Sequence, residues 1–201
     1  MNRIHLLVLL LLAVVAVPFA AADTIQLFNN TYGNIGSVTL TQNGGNVNVT
    51  LTAASGFSFK VGGGGDILFN SGASLTSGSI TNLLIGGNSA AFGFDSSATR
   101  AGFTFDYDLT GLKGPKGLEA VTSITFTVSN VTVSQLEVAG AKGAMWGVHF
   151  CVGTDSKCSS GITGFATSAP PNTVVPEPGT LSLLGTGLVG IAGVLRRRFL
   201  A

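Results

Sequence analysis

The sequence predicts an all-β body: a single antiparallel β-sandwich or jelly-roll-like domain between two apolar chain ends. Three observations carry this. Apolar and polar residues alternate with period two through most of residues 23–166, as in strands with one buried face. The alternating runs are short, rich in Val, Ile, Thr and Phe, and mostly bounded by Gly, Asn or Ser. No internal stretch repeats its apolar residues at convincing helical spacing.

The first strand candidate is residues 24–28. Next come residues 38–41 and 47–51, flanking Gln42-Asn43-Gly44-Gly45-Asn46. Asn-Gly between alternating runs is the strongest short hairpin signal, because both residues tolerate positive φ. Further candidates follow at residues 57–61, 66–69, 91–94, 103–109, 121–128, 131–138 and 145–152. Within residues 121–128, Ile124, Phe126 and Val128 are expected to face inward and Thr125 and Thr127 outward. Residues 167–175, with Pro170-Pro171, read as a stiff spacer after the body.

The body has the length of one domain and can bury a sizeable core. Its cations are Lys60, Arg100, Lys113, Lys116, Lys142 and Lys157. Its anions are Asp23, Asp66, Asp95, Asp106, Asp108, Glu119, Glu137 and Asp155, so six minus eight gives −2. That balance argues against nucleic acid, which selects a basic face.

Arg3, an apolar run over residues 4–17 broken only by His5, then Pro18 and the small residues Ala20 and Ala22 form a secretory signal peptide. Cleavage is expected after Ala22, with the general secretion machinery as partner. Export places Cys151 and Cys158 in an oxidising compartment, where a disulfide across this short loop is expected. Two free thiols or a metal pair are the alternatives, and a metal would need further ligands beyond the nearby His149.

At the other end, Val175-Pro176-Glu177-Pro178 precedes an uncharged stretch, residues 181–195, and then Arg196-Arg197-Arg198. As a helix that stretch would span roughly 22 Å, a marginal transmembrane anchor against a hydrocarbon core of ~30 Å. The three arginines predict a cytoplasmic flank. Pro176 and Pro178 keep the chain outside the membrane extended, a form in which a protease or transpeptidase can grip backbone. These elements, in this order, resemble the PEP-CTERM sorting signal of Gram-negative bacteria, over about residues 174–200. The resemblance implies processing by a membrane-embedded exosortase, a transient stay in the inner membrane, and then the cell surface or the extracellular space. It also implies association with exopolysaccharide, as in a biofilm matrix.

Several local patterns have a chemical reading beside a structural one. Gly185-Thr186-Gly187-Leu188-Val189-Gly190 is formally a dinucleotide motif, but no strand precedes it and no acidic residue follows. Gly62-Gly63-Gly64-Gly65-Asp66 lacks the Lys-Ser/Thr of a phosphate loop and reads as a turn. Asp106 and Asp108 flank Tyr107 in a strand candidate, so both carboxylates are expected on one solvated face, about 6.5–7 Å apart. That spacing leaves calcium or a glycosidase pair as secondary readings, although calcium wants more oxygens. No cofactor is otherwise indicated. Trp146 and Tyr107, with Tyr32, are the candidates for stacking on a sugar, against the commoner reading of core aromatics.

The reading that follows is a non-catalytic, exported surface or matrix protein with no catalytic residues. The alternative is a carbohydrate-binding module using Trp146, Tyr107, Asp106 and Asp108. A polysaccharide hydrolase or lyase using Asp106, Asp108 and His149 ranks third, since no nucleophile motif is present.

Overall fold

A computed structural model describes residues 22–62 and 66–168. Ala20, residues 63–65 of the glycine run, residues 169–175, Pro176-Glu177-Pro178, the 181–195 segment and Arg196-Arg197-Arg198 lie outside the described residues. Among the described residues, no helix is long and apolar enough to cross a membrane.

The body is all-β and antiparallel. Its strands are β1 (Ala22–Asn29), β2 (Gly33–Asn43), β3 (Asn46–Ala53), β4 (Phe57–Lys60) and β5 (Ile67–Phe69). After a 3-10 turn come β6 (Ile80–Ile85), β7 (Asn88–Ser89), β8 (Ala91–Asp95), β9 (Ala98–Arg100) and β10 (Phe103–Phe105). The rest are β11 (Tyr107–Lys113), β12 (Ala120–Val121), β13 (Ser123–Val128), a one-turn helix α1 (Val133–Leu136), β14 (Trp146–Val152) and β15 (Thr163–Ser168).

The main sheet runs β7-β6-β13-β3-β2-β1-β15-β14-β5-β11-β8, with β4 bonded to β14 and to β12. Its two end strands, β7 and β8, are separated in the chain by Ala90 alone, so the sheet must curl until its ends approach. A second contact shows the same curl. The rings of Phe126 on β13 and Trp146 on β14 lie 6.4 Å apart, although β3, β2, β1 and β15 intervene in the sheet. Spread flat at ~4.8 Å per strand, those strands would hold the two ~24 Å apart. The halves therefore face each other across one core, which includes Leu27, Leu40, Leu51, Phe59, Ile124 and Val148.

The β2–β3 hairpin turns at Gly44-Gly45, with Asn43 opposite Asn46 and Gly44 at φ +59°. Ile124, Phe126 and Val128 are buried, and Thr125 and Thr127 are half-exposed.

Other expectations are corrected. Residues 131–138 are not a strand. Thr132 and Gln135 form a capping box, with Thr132 N donating to Gln135 Oε1 at 2.9 Å, and α1 follows. Val133 and Leu136 are buried, so the same apolar residues serve a helix. The candidate at 103–109 breaks at Asp106 into β10 and β11. Thr167 and Ser168 are not spacer. They end β15, paired with Phe28 and Leu27 of β1, and the Ser168 hydroxyl accepts Met145 N (2.7 Å) and Trp146 N (3.2 Å).

Candidate functional site

β8 and β11 form one long hairpin with β9 and β10. The ladder pairs Asp95 with Asp108, breaks at Ser96, Ser97 and Asp106, and resumes at Ala98 with Phe105 in unchanged register. Beyond the break, the two-stranded tip leaves the main sheet. It turns at Ala101 (φ +49°) and Gly102 (φ +81°), two consecutive positive φ values that suit a tight hairpin. The tip is two-faced. Thr99 and Thr104 are exposed and their hydroxyls lie 3.3 Å apart. Ala98, Phe103 and Phe105 turn the other way and pack with Leu68, Ala144 and Phe165, a cluster separate from the main core.

That cluster covers the outer face of β5, β14 and β15. Phe105 lies over Gly147, where a Cβ would come within 2.9 Å of Phe105 Cζ. Under the tip, Asp95, Asp108, Leu68, Gly147 and Thr167 form a single cross-strand row. Asp108 is 1% exposed, and neither of its carboxylate oxygens accepts a hydrogen bond. Arg100 of the tip reaches back to this row. Its Nε donates to Asp66 Oδ2 at 3.1 Å, and its Nη2 stands 3.5 Å from Asp108 Oδ2. Burial raises the Asp108 pKa to about 7; Asp66 and Asp95 push the same way and Arg100 opposes them.

A carboxyl that titrates near neutrality is chemically suited to proton transfer. Here the carboxyl is closed off from bulk water, with Arg100 as its charged neighbour. Sequence reasoning missed Arg100 and Asp66. The pairing that unites them is between strands distant in sequence, and β9 was not visible as a strand.

The other candidate residues are dispersed. Asp106 does not share a face with Asp108: it sits exposed at the hairpin break, where its Oδ2 accepts Ser71 N at 3.2 Å. The D-x-D reading fails because the strand is interrupted between the two. Among the described residues, no group of three or more His, Cys, Asp or Glu is arranged to hold a metal ion. Trp146 is fully buried, stacked on Phe69 at 5.0 Å, and its Nε1 donates to Leu136 O at 2.9 Å. The Tyr107 ring lies against Phe69 (5.6 Å) and Phe94 (5.5 Å), and its hydroxyl donates to Ala73 O and accepts Leu75 N. Trp146 thus presents no exposed face to a sugar, and the half-buried Tyr107 has its ring and hydroxyl engaged within the fold. Tyr32 is 40% exposed and edge-packed on Phe57 and Phe150. His149 stacks on Phe165 with centroids 4.8 Å apart. Cys151 and Cys158 form a disulfide. Backbone N–H groups of Ser159, just past the closed loop, and of Lys157 within it hold the Asp155 carboxyl below its ordinary pKa.

Ala22, on the N-terminal side of the expected cleavage, begins β1 opposite Thr41. The C-terminal elements are matched by comparison with known families. Comparison with the curated proteins gives no match. One family profile matches residues 174–198, and its description is PEP-CTERM protein-sorting motif. The chain thus carries a PEP-CTERM protein-sorting motif at its C-terminus, behind an all-β body.

Proposed function

We propose that this is an exported, non-catalytic surface or matrix protein. Its β-body is held briefly at the inner membrane by its tail, then released or transferred by an exosortase into an exopolysaccharide-rich exterior. The match over residues 174–198 carries the reading, since it is a sorting address at the C-terminal end of the chain. The surroundings of the suspected catalytic groups support it: Asp108 is sealed, Asp106 is on a bend, and His149 is stacked on a phenylalanine. Replacing Pro176, Glu177 and Pro178 with alanine in the producing cell tests it. The expected result is an unprocessed chain retained in the membrane fraction, by immunoblot; normal size and release would refute the sorting role.

A second reading, carbohydrate binding, is favoured by Tyr32. Its half-exposed ring is held by perpendicular contacts to two other rings, a low-entropy arrangement for stacking on a sugar. Co-sedimentation with the host exopolysaccharide is expected to weaken in Tyr32→Ala, and equal binding would remove this platform.

A further inference from the structure

We propose that residues 98–105 form a pH-sensitive flap, latched by Arg100 over an apolar shelf on β5, β14 and β15 and released as the carboxyl beneath it ionises. The geometry supplies a hinge, a latch and a shelf. The hinge is the break at Ser96, Ser97 and Asp106, where pairing lapses while register is kept. The latch is the bond from Arg100 of the tip to Asp66, just ahead of β5, with Asp108 alongside at 3.5 Å. The shelf is Leu68, Gly147 and Phe165, covered by Phe103 and Phe105.

With the flap closed, Asp66 and Asp108 share one guanidinium, and Asp95 stands across the strand from Asp108. Arg100 spends its one hydrogen bond to this group on Asp66, so an ionised Asp108 is buried without a hydrogen bond. A neutral Asp108 removes that penalty. With the flap raised, water reaches Asp108 and its pKa falls toward the ordinary value. Proton uptake therefore accompanies closing, and the flap opens as pH rises through about 7. The other charges around it are placed differently. Asp106 is engaged by Ser71 at the hinge, and Lys142 lies near Gly102 at the tip. His149 stacks on Phe165 and gives its backbone N–H to Asp66 O.

Hydrogen exchange on the full chain in detergent tests this, from about pH 5.5 to pH 8.5, after correction for intrinsic rates and with β2–β3 amides as reference. Protection over residues 98–105 is expected to fall at least about tenfold as pH rises, the reference staying constant. Asp108→Asn is expected to stay protected throughout, and Arg100→Gln to lose protection at every pH. Asp66→Asn removes a repulsion and leaves Arg100 to Asp108, so its midpoint should move to lower pH. Constant protection in the parent protein would overturn the proposal. So would an unchanged pH dependence in Asp108→Asn or an unmoved midpoint in Asp66→Asn.

Discussion

The ring of Phe105 rests on Gly147, so closely that a Cβ there would lie 2.9 Å from Phe105 Cζ. Glycine at this position lets the hairpin tip lie flat on β14. Gly147→Ala is therefore expected to lift the tip and to destabilise the protein by roughly 1–3 kcal/mol, the usual cost of overpacking. Urea unfolding measures the loss. Faster exchange over residues 98–105 would locate it.

Asp108 makes global stability depend on pH. Its folded pKa, about 7, lies above the ordinary 3.8, so the folded state binds the extra proton between those values. Its contribution is most favourable at low pH and is lost as pH rises through about 7. Asp108→Asn is expected to stabilise the protein by roughly 2–3 kcal/mol more at about pH 8 than at about pH 5, with the effect fading near pH 3, read by urea unfolding at the three values.

The Cys151–Cys158 disulfide joins the end of β14 to the loop before β15, where it packs against Ala120. Replacing both cysteines with serine is expected to cost about 2–3 kcal/mol by the chain-entropy model. Chemical denaturation with and without reductant measures this: reductant should destabilise the parent and leave the double variant unchanged.

Trp146 joins the two halves of the curled sheet through Phe126 and bonds α1 through Leu136 O. Trp146→Ala is expected to cost about 3–5 kcal/mol and to loosen α1. Trp146→Phe keeps much of the packing but leaves Leu136 O without its donor, so it should fall between. Thermal unfolding of the pair ranks them.

Much of the body was legible in the sequence because its strands alternate cleanly. The β2–β3 hairpin carries its own turn signal, and β13 shows its buried face at Ile124, Phe126 and Val128. What stayed hidden has physical causes. β6 breaks alternation where Asn82 takes φ +54°, opposite a register shift in β13. Apart from Phe165, β15 is built of small and polar residues, which resemble a linker until β1 and β14 are seen on either side. Residues 131–138 read as strand because Val is β-prone, while the capping box at Thr132 and Gln135 decided for a helical turn. The Arg100 cluster required a fold: nothing local to Asp66, Arg100 or Asp108 announces that they meet.

The pairing of β1 with β15 sets an order of events. β1 is the first described strand in the chain, and it lies in the middle of the sheet between β2 and β15. One edge of β1 must wait until Thr167 and Ser168 arrive to meet Phe28 and Leu27. Such a long-range closure is slow and comes late in folding. The finished sheet can therefore close only once residues 167 and 168 are present, and any shorter piece of the body leaves one edge of β1 open in mid-sheet.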